Sequence, residues 1–146
     1  MKVSVKEAKD LIEGFSKDLS SGEYSKPLGK CGEELNNNFV EIFANQTSST
    51  GESWPPHSPV TIKFYGAHPL LILSGDLYSQ LTGDSAMEEG RVTVETNLEY
   101  AEWNNNPSED SHIPQREFMY ITEQTQENCV NHVGDYIFDL MPGTVV

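Results

Sequence analysis

Positively charged residues are scarce in this chain of 146 residues. Lysine and arginine together number 9, whereas aspartate and glutamate number 23, so the formal net charge at pH 7 is -14. The isoelectric point is correspondingly low, near 4.4. A protein this acidic cannot neutralise a run of phosphates, which excludes the usual way of holding nucleic acid.

Long apolar runs are also missing. Hydrophobic residues make up 36% of the chain, and no run approaches the roughly 18 residues that a membrane span needs. The first 15 residues carry charges among their apolar positions and contain no cleavage-type stretch. We therefore expect no signal peptide and no membrane partner.

Cysteine is nearly absent. The two cysteines, Cys31 and Cys129, lie far apart in the chain and match no metal-binding or redox spacing. Their predicted state is a pair of reduced, buried thiols in a protein of the cytoplasm.

Motifs of the common enzyme classes are absent too. The chain has no nucleophile elbow, phosphate-binding loop, HExxH or dinucleotide fingerprint, and its histidines are scattered: His57, His68, His112 and His132. Glu109, Asp110 and His112 could form a metal site, but their turn-rich polar surroundings are typical of a solvated loop. We predict no catalytic residue, no metal ion and no cofactor.

The charge that is present is distributed unevenly. Residues 1–34 carry six lysines and seven acidic residues, so this segment has a net charge of -1. Residues 35–146 carry three basic residues against sixteen acidic ones, a net charge of -13. A nearly neutral N-terminal segment therefore precedes a strongly anionic body.

Helical periodicity marks the N-terminal part, residues 1–44. A Ser4-to-Glu7 capping box begins an apolar stripe that continues to Leu19, which predicts a first helix. A second helix is predicted to begin near Ser25–Pro27, where proline is tolerated in the first turn, and its stripe ends at Phe43. The sequence thus predicts an N-terminal helical pair.

A polar loop and several strands are predicted next. The loop covers residues 45–58 and holds one large apolar residue, Trp54, so we expect it to make contacts. Residues 59–121 are predicted to be mainly β, with a brief helix ending at Leu81. The strand signals are alternation over 60–65, a buried run over 70–73, alternation over 91–100 and alternation over 116–121.

The chain is predicted to end in an amphipathic helix over residues 122–141. Thr122 is the expected N-cap, and the Pro142-Gly143 pair is expected to stop the helix. The predicted fold is α+β, one domain over residues 1–146 with an N-terminal helical pair, an antiparallel sheet and a C-terminal helix.

Several short segments occur in an order that resembles a known family. They are Phe43-(x7)-Gly51-x-x-Trp54-Pro55, Leu71-Ile72-Leu73-Ser74-Gly75-Asp76-Leu77, Val92-Thr93-Val94, Tyr100-Ala101 and Ile113-Pro114-x-Arg116-x-Phe118. Together with the terminal helix, this set resembles the tail-completion, or virion morphogenesis, family of tailed bacteriophages. The resemblance covers residues 39–141, and no single motif in it is specific.

The resemblance implies a structural role in the virion, with assembly rather than catalysis as the mechanism. Family membership would place the protein at the head-proximal end of the tail, made in the host cytoplasm. Copies would form a ring by head-to-tail contacts, sixfold to match a tail tube. The implied partners are other copies of the chain, tail tube or terminator proteins, and head connector proteins.

The resemblance also singles out residues. Trp54, Arg116 and Phe118, in the matching segments, are candidates for subunit or partner contacts, and Gly75 is expected to serve a turn at positive φ. Trp103, outside the matching segments, is a further candidate for such a contact. Each contact residue has a structural alternative: Trp54 could pack under its own loop, Arg116 could pair within the chain, and Phe118 could fill the core. One departure from the family pattern lies after Tyr100-Ala101, where this chain has Trp103-Asn104-Asn105-Asn106 instead of a histidine and glycine.

The acidity has two explanations under this assignment. Carboxylates lining a channel would repel the passing DNA duplex, or they would keep unassembled subunits soluble and apart. The alternative function is an acidic DNA mimic or inhibitor that binds a basic host or phage partner.

Overall fold

The computed structural model describes residues 13, 17, 24–88 and 90–141. In this part of the chain it has five helices and one two-stranded antiparallel sheet. The α+β class and the C-terminal helix are therefore confirmed. The first predicted helix, and with it the N-terminal helical pair, falls outside the described residues apart from Glu13 and Lys17, which are helical.

The central element is helix α1, Ser25–Asn45, which begins where the sequence predicts. It ends at Gln46, whose left-handed backbone turns its N–H back to the Ile42 carbonyl. Its buried apolar stripe consists of Cys31, Phe39, Ile42 and Phe43. Helix α1 contacts the C-terminal helix, one short helix and both strands, so most of the described fold is arranged around it.

Two of the predicted strands are not strands. Residues 60–65 lie in helix α2, Pro59–Tyr65, which is capped by the Ser58 side chain. The buried run 70–73 forms turns and bends that lead into helix α3, Asp76–Thr82. Helix α3 ends one residue after the predicted Leu81, so the brief helix is confirmed.

The predicted strand over 91–100 is largely wrong. Strand β1, Ala86–Glu88, pairs with strand β2, Arg91–Thr93, and the ladder stops there. Helix α4, Glu99–Asn105, occupies the rest. The intervening segment is held on α3 by Gln80, whose side chain hydrogen-bonds to Thr96 Oγ1 at 2.6 Å and to the side chain and backbone of Asn97. These bonds take the place of strand pairing.

Residues 116–121 form no strand and pair with none in the part of the chain that the structure describes. Their backbone is satisfied by side-chain amides instead. Asn105 Oδ1 accepts from the N–H groups of Phe118 and Met119, and Asn38 Nδ2 donates to the Tyr120 carbonyl at 2.8 Å. Two asparagines on different helices therefore replace a sheet ladder, and the predicted strand is wrong for this reason.

Helix α5, Glu123–Leu140, is capped by Thr122, whose hydroxyl accepts from the Thr125 N–H, as predicted. Its contacts with α1 run in opposite order along the two helices. Tyr24 lies against Tyr136 with the two rings tilted, Cys31 lies against Cys129, and Asn38 lies against Thr125. The two helices therefore pack antiparallel.

A charged contact supports the same packing. Glu34 on α1 accepts hydrogen bonds from Asn128 at 2.9 Å and from His132 at 3.1 Å. These bonds hold the pKa of the Glu34 carboxyl below its usual value. The carboxylate is thus favoured in the folded protein, and the stability it contributes is lost as the pH falls through its lowered pKa.

The two glycines near the start of α1 have different surroundings, which yields a testable contrast. A Cβ on Gly29 would meet nothing within 4 Å, whereas a Cβ on Gly32 would overlap Ser85 and crowd Val92 at 3.2 Å. We expect Gly29→Ala to stabilise the protein by roughly 0.5–1 kcal/mol through helix propensity. We expect Gly32→Ala to destabilise it by about 1 kcal/mol, because the strands must move away from the helix. Urea unfolding measures both, and equal shifts for the two variants would contradict the close approach at Gly32.

Candidate functional site

Arg116 lies where most of the candidate residues meet. Arg116 is 8% exposed, and its guanidinium donates from Nε to the Pro55 carbonyl at 2.9 Å and from Nη2 to the Pro56 carbonyl at 3.1 Å. Nη1 donates to Asn104 Oδ1 at 3.4 Å. These partners are neutral oxygens, and burial lowers the pKa of the Arg116 guanidinium. Arg116 therefore pairs within its own chain, which is the structural alternative to a contact with another subunit or partner.

Trp54 is packed under its own loop. The side chain is 5% exposed, its Nε1 donates to the Glu117 carbonyl at 2.8 Å, and its ring meets Phe43 edge-on with centroids 5.6 Å apart. A buried indole that has its hydrogen bond inside the chain leaves no surface for a partner. The assignment of Trp54 to an interface is corrected accordingly.

The loop around Trp54 makes the contacts expected of it. Residues 46–54 form a tight hairpin-like turn that is closed by the Trp54 N–H on the Gln46 carbonyl at 2.7 Å. Ser49 donates from both its N–H and its hydroxyl to Glu117 Oε2, and Tyr120 donates to the Thr47 carbonyl. The loop is thereby fixed to the segment 116–121.

Phe118 and Gly75 have structural roles. Phe118 is 0% exposed and lies beside Phe43 with ring centroids 5.9 Å apart, so its assignment to an interface is wrong. Gly75 has a φ of +87° at the start of α3, which confirms the predicted turn. That backbone conformation favours glycine over residues with a Cβ.

The segment that departs from the family pattern forms hydrogen bonds within the chain. Asn104 accepts from the Arg116 N–H through its carbonyl at 2.7 Å, and Asn105 accepts from Phe118 and Met119 through its side chain. Trp103, between Ala101 and these asparagines, is 52% exposed. Of the four contact candidates, Trp103 is the one with a large surface available to another molecule.

A cavity of about 280 Å³ lies next to Arg116. His57 and His68 line it, and their rings are 4.2 Å apart at their centroids. His57 Nε2 faces the His68 carbonyl at 3.2 Å and His68 Nδ1 faces the Gly66 carbonyl at 3.0 Å, so in the neutral rings these two nitrogens carry the hydrogens. The two histidine rings and the Arg116 side chain therefore lie together at this cavity. The sequence contained these residues, but their separation in the chain concealed the cluster.

Helix α2 has no buried residue, and it exposes four large apolar side chains. They are Val60, Ile62, Phe64 and Tyr65, the third of which is 73% exposed, and they spread over about half of the helix circumference. We call this exposed apolar surface the α2 face. The alternation of apolar and polar residues over 60–65 predicted a strand with one buried face, but these apolar side chains are exposed. Lys63 lies among these residues and is also exposed.

The described residues contain no group of three or more His, Cys, Asp and Glu side chains placed to hold a metal ion. In particular, Glu109, Asp110 and His112 are all exposed. No helix within 24–88 and 90–141 has the length and hydropathy needed to cross a bilayer. Comparisons of the chain with protein-family models, curated proteins and solved structures gave no match.

Proposed function

We propose that this chain is a structural virion protein that completes the head-proximal end of a bacteriophage tail and helps join the tail to the head. The observation that carries the proposal is the α2 face. Four large apolar side chains on one seven-residue helix, with none buried, form the kind of patch that marks an interaction site. Assembly into a larger particle would cover this face.

The segments that carry the family resemblance support the same assignment, because they pack against one another. Trp54, Leu77 and Phe118 come from three of these segments and belong to one buried cluster. Arg116, from the last segment, is bonded to Pro55, from the first. The resemblance rests on the order and spacing of these segments. Their mutual contacts give a structural reason for that spacing, because the segments meet in one core.

A ring needs two different surfaces on each copy, one for each neighbour. The α2 face is apolar, and the same helix carries the exposed Lys63. Helix α4 offers the opposite character through the exposed Trp103, Glu99 and Glu102. We propose that the α2 face of one copy contacts the α4 surface of the next, with opposite charges selecting this pairing. Six copies would match the symmetry of a tail tube.

The acidic surface fits a position beside the DNA path. All the acidic residues described between positions 84 and 110 are exposed: Asp84, Glu88, Glu95, Glu99, Glu102, Glu109 and Asp110. Arg91 is the basic residue in this stretch. Those carboxylates that face the lumen of a ring would repel the duplex as it passes and keep it from binding the wall.

A pair of exposed valines tests the role of the α2 face. We expect Val60→Asp to abolish complementation of a phage genome in which the codon for Met1 of this chain has been removed. The substitution places a charge in an apolar contact, while Asp in the first turn of a helix suits the helix dipole, so folding is maintained. The measurement is the titre of infectious particles.

Val130→Asp is the matched control, because Val130 on α5 is 69% exposed and Val60 is 62% exposed. We expect this variant to give a titre close to that of the unmodified chain. Circular dichroism of both purified variants checks that they are folded. Equal titres for the two variants would contradict the proposed role of the α2 face in assembly.

A further inference from the structure

The two cysteines of the chain lie against each other where α1 and α5 cross. The Cys31 thiol donates to the Cys129 carbonyl at 3.7 Å, and the Cys129 thiol donates to the Cys31 carbonyl at 4.0 Å. Both cysteines are reduced. Residues that are 98 positions apart in the sequence therefore lie side by side, each sulfur within 4.0 Å of the other residue's carbonyl oxygen.

The surrounding contacts hold this crossing in register. Glu34, one turn after Cys31, bonds to Asn128 and His132, the neighbours of Cys129 along α5. One turn further, Asn38 Oδ1 accepts from Thr125 at 3.1 Å. A disulfide requires two close, converging side chains, and these contacts keep Cys31 and Cys129 beside each other at the interface of the two helices.

Cys31 and Cys129 are expected to oxidise slowly at neutral pH. Cys31 is 5% exposed. Burial, together with the Cys31 thiol and the Glu34 charge, raises the pKa of Cys129 to about 12. Because the thiolate is the reactive form, a thiol with this pKa reacts slowly at neutral pH.

We propose that Cys31 and Cys129 are a redox site that forms a reversible intramolecular disulfide in the presence of a small-molecule disulfide. The Cys129 thiolate attacks one sulfur of the small disulfide, and the other half leaves as a thiolate that takes up a proton. The deprotonated Cys31 sulfur then attacks Cys129 and displaces the second small thiol. Two cysteine sulfurs are oxidised, one small disulfide is reduced, and two protons pass from the cysteines to the two small thiols.

The bridge would clamp the helix crossing at the centre of the fold. It would close a long loop and so restrict the unfolded chain, the case in which a disulfide gains most from loop entropy. The inference does not depend on the proposed function. In a phage particle, however, the pair would stay reduced during assembly in the cytoplasm and close after release into oxidising surroundings.

Equilibration of the full-length protein with oxidised glutathione tests the proposal. We expect peptide mapping to recover one linked pair containing Cys31 and Cys129, with a monomer that migrates faster on a non-reducing gel. The thermal midpoint of the oxidised form is expected to be roughly 10 °C higher than that of the reduced form. The oxidation rate is expected to rise about tenfold per pH unit from pH 7 to 10, following the thiolate fraction of Cys129 beside Cys31, Glu34 and His132.

The variants Cys31→Ser and Cys129→Ser are the controls, and neither should gain thermal stability on oxidation. A protein that stays reduced at equilibrium, or one that yields only a glutathione adduct or an intermolecular dimer, would overturn the proposal. A bridged monomer with an unchanged or lower midpoint would also overturn it, because the native packing would then not accept the bond. The mapping of the unmodified protein decides the question even if a serine variant fails to fold.

Discussion

Replacement of Phe118 by alanine is expected to remove about 3–5 kcal/mol from the free energy of unfolding. Phe118 is completely buried and lies in the cluster that joins α1, α3 and the loop of Trp54. Removing its ring would leave a cavity that the surrounding helices cannot fill, because Asn105 fixes the backbone on either side of it. A loss of this size is a large part of the stability of an ordinary domain, about 5–15 kcal/mol.

Urea unfolding measures this loss, and Phe64→Ala is the control. Phe64 is the same residue type on the exposed α2 face, so its removal should change the unfolding free energy by no more than about 0.5 kcal/mol. The slope of free energy against urea should be unchanged in both variants. Similar losses for the two phenylalanines would show that Phe118 is not the core residue described above.

Asn38→Ala is expected to cost about 3 kcal/mol, since it leaves several buried polar groups without partners. Asn38 is 1% exposed. Its amide donates to the Tyr120 carbonyl, and its Oδ1 accepts from the Thr122 N–H and the Thr125 hydroxyl. The same side chain therefore holds the segment 116–121 and the beginning of α5.

The two preceding asparagines are internal controls for Asn38. Asn37 is exposed, and Asn37→Ala should raise stability by about 0.5 kcal/mol through helix propensity. The Oδ1 of Asn36 is buried without a hydrogen-bond partner among the described residues, so Asn36→Ala should be neutral or stabilising. Three equal effects along this run would contradict the hydrogen-bond assignment.

The sequence predicted the elements whose local signals agree with their tertiary environment. Helix α1 has a long apolar stripe that is buried in the fold, and α5 begins at Thr122, a capping residue that acts as its type suggests. Gly75 occupies a turn at positive φ. In each case one local preference was enough, because packing strengthens it and does not oppose it.

The predicted strand over 60–65 failed because alternation was interpreted as burial. The Ser58-Pro59 pair is a helix-start signal, with a capping hydroxyl and a proline in the first turn. A run of six residues is too short for its periodicity to outweigh that signal. The apolar residues that alternate there are exposed in the chain, so the pattern fits a contact surface better than a core strand.

The sheet was overpredicted because strand-like composition alone does not produce strand pairing. Residues 116–121 have strand-like composition, but Asn38 and Asn105 satisfy their backbone groups from the side. Asn38 could have been suspected, since it is a polar residue on the apolar side of a predicted helix. Nothing in the local pattern around Asn105 indicates its role, which depends on a contact across 13 positions of sequence.

The candidate contact residues illustrate the same limit. The family resemblance singled out Trp54, Arg116 and Phe118, but only their placement separates a core role from an exposed one. Trp103 and the α2 face are the surfaces that remain for partners. The sequence pattern predicted a strand for the residues of the α2 face. The cluster of Arg116 with His57 and His68 depends on loop conformations that no spacing encodes.

Electron microscopy of particles assembled without this chain tests the proposed function most directly. The experiment uses a phage genome that encodes the protein, with its start codon removed, and restores the chain from a plasmid as the control. The account predicts filled heads and full-length tails that are separate from one another, with joined and infectious particles returning when the chain is supplied. Intact, tailed and infectious particles made without the protein would contradict it.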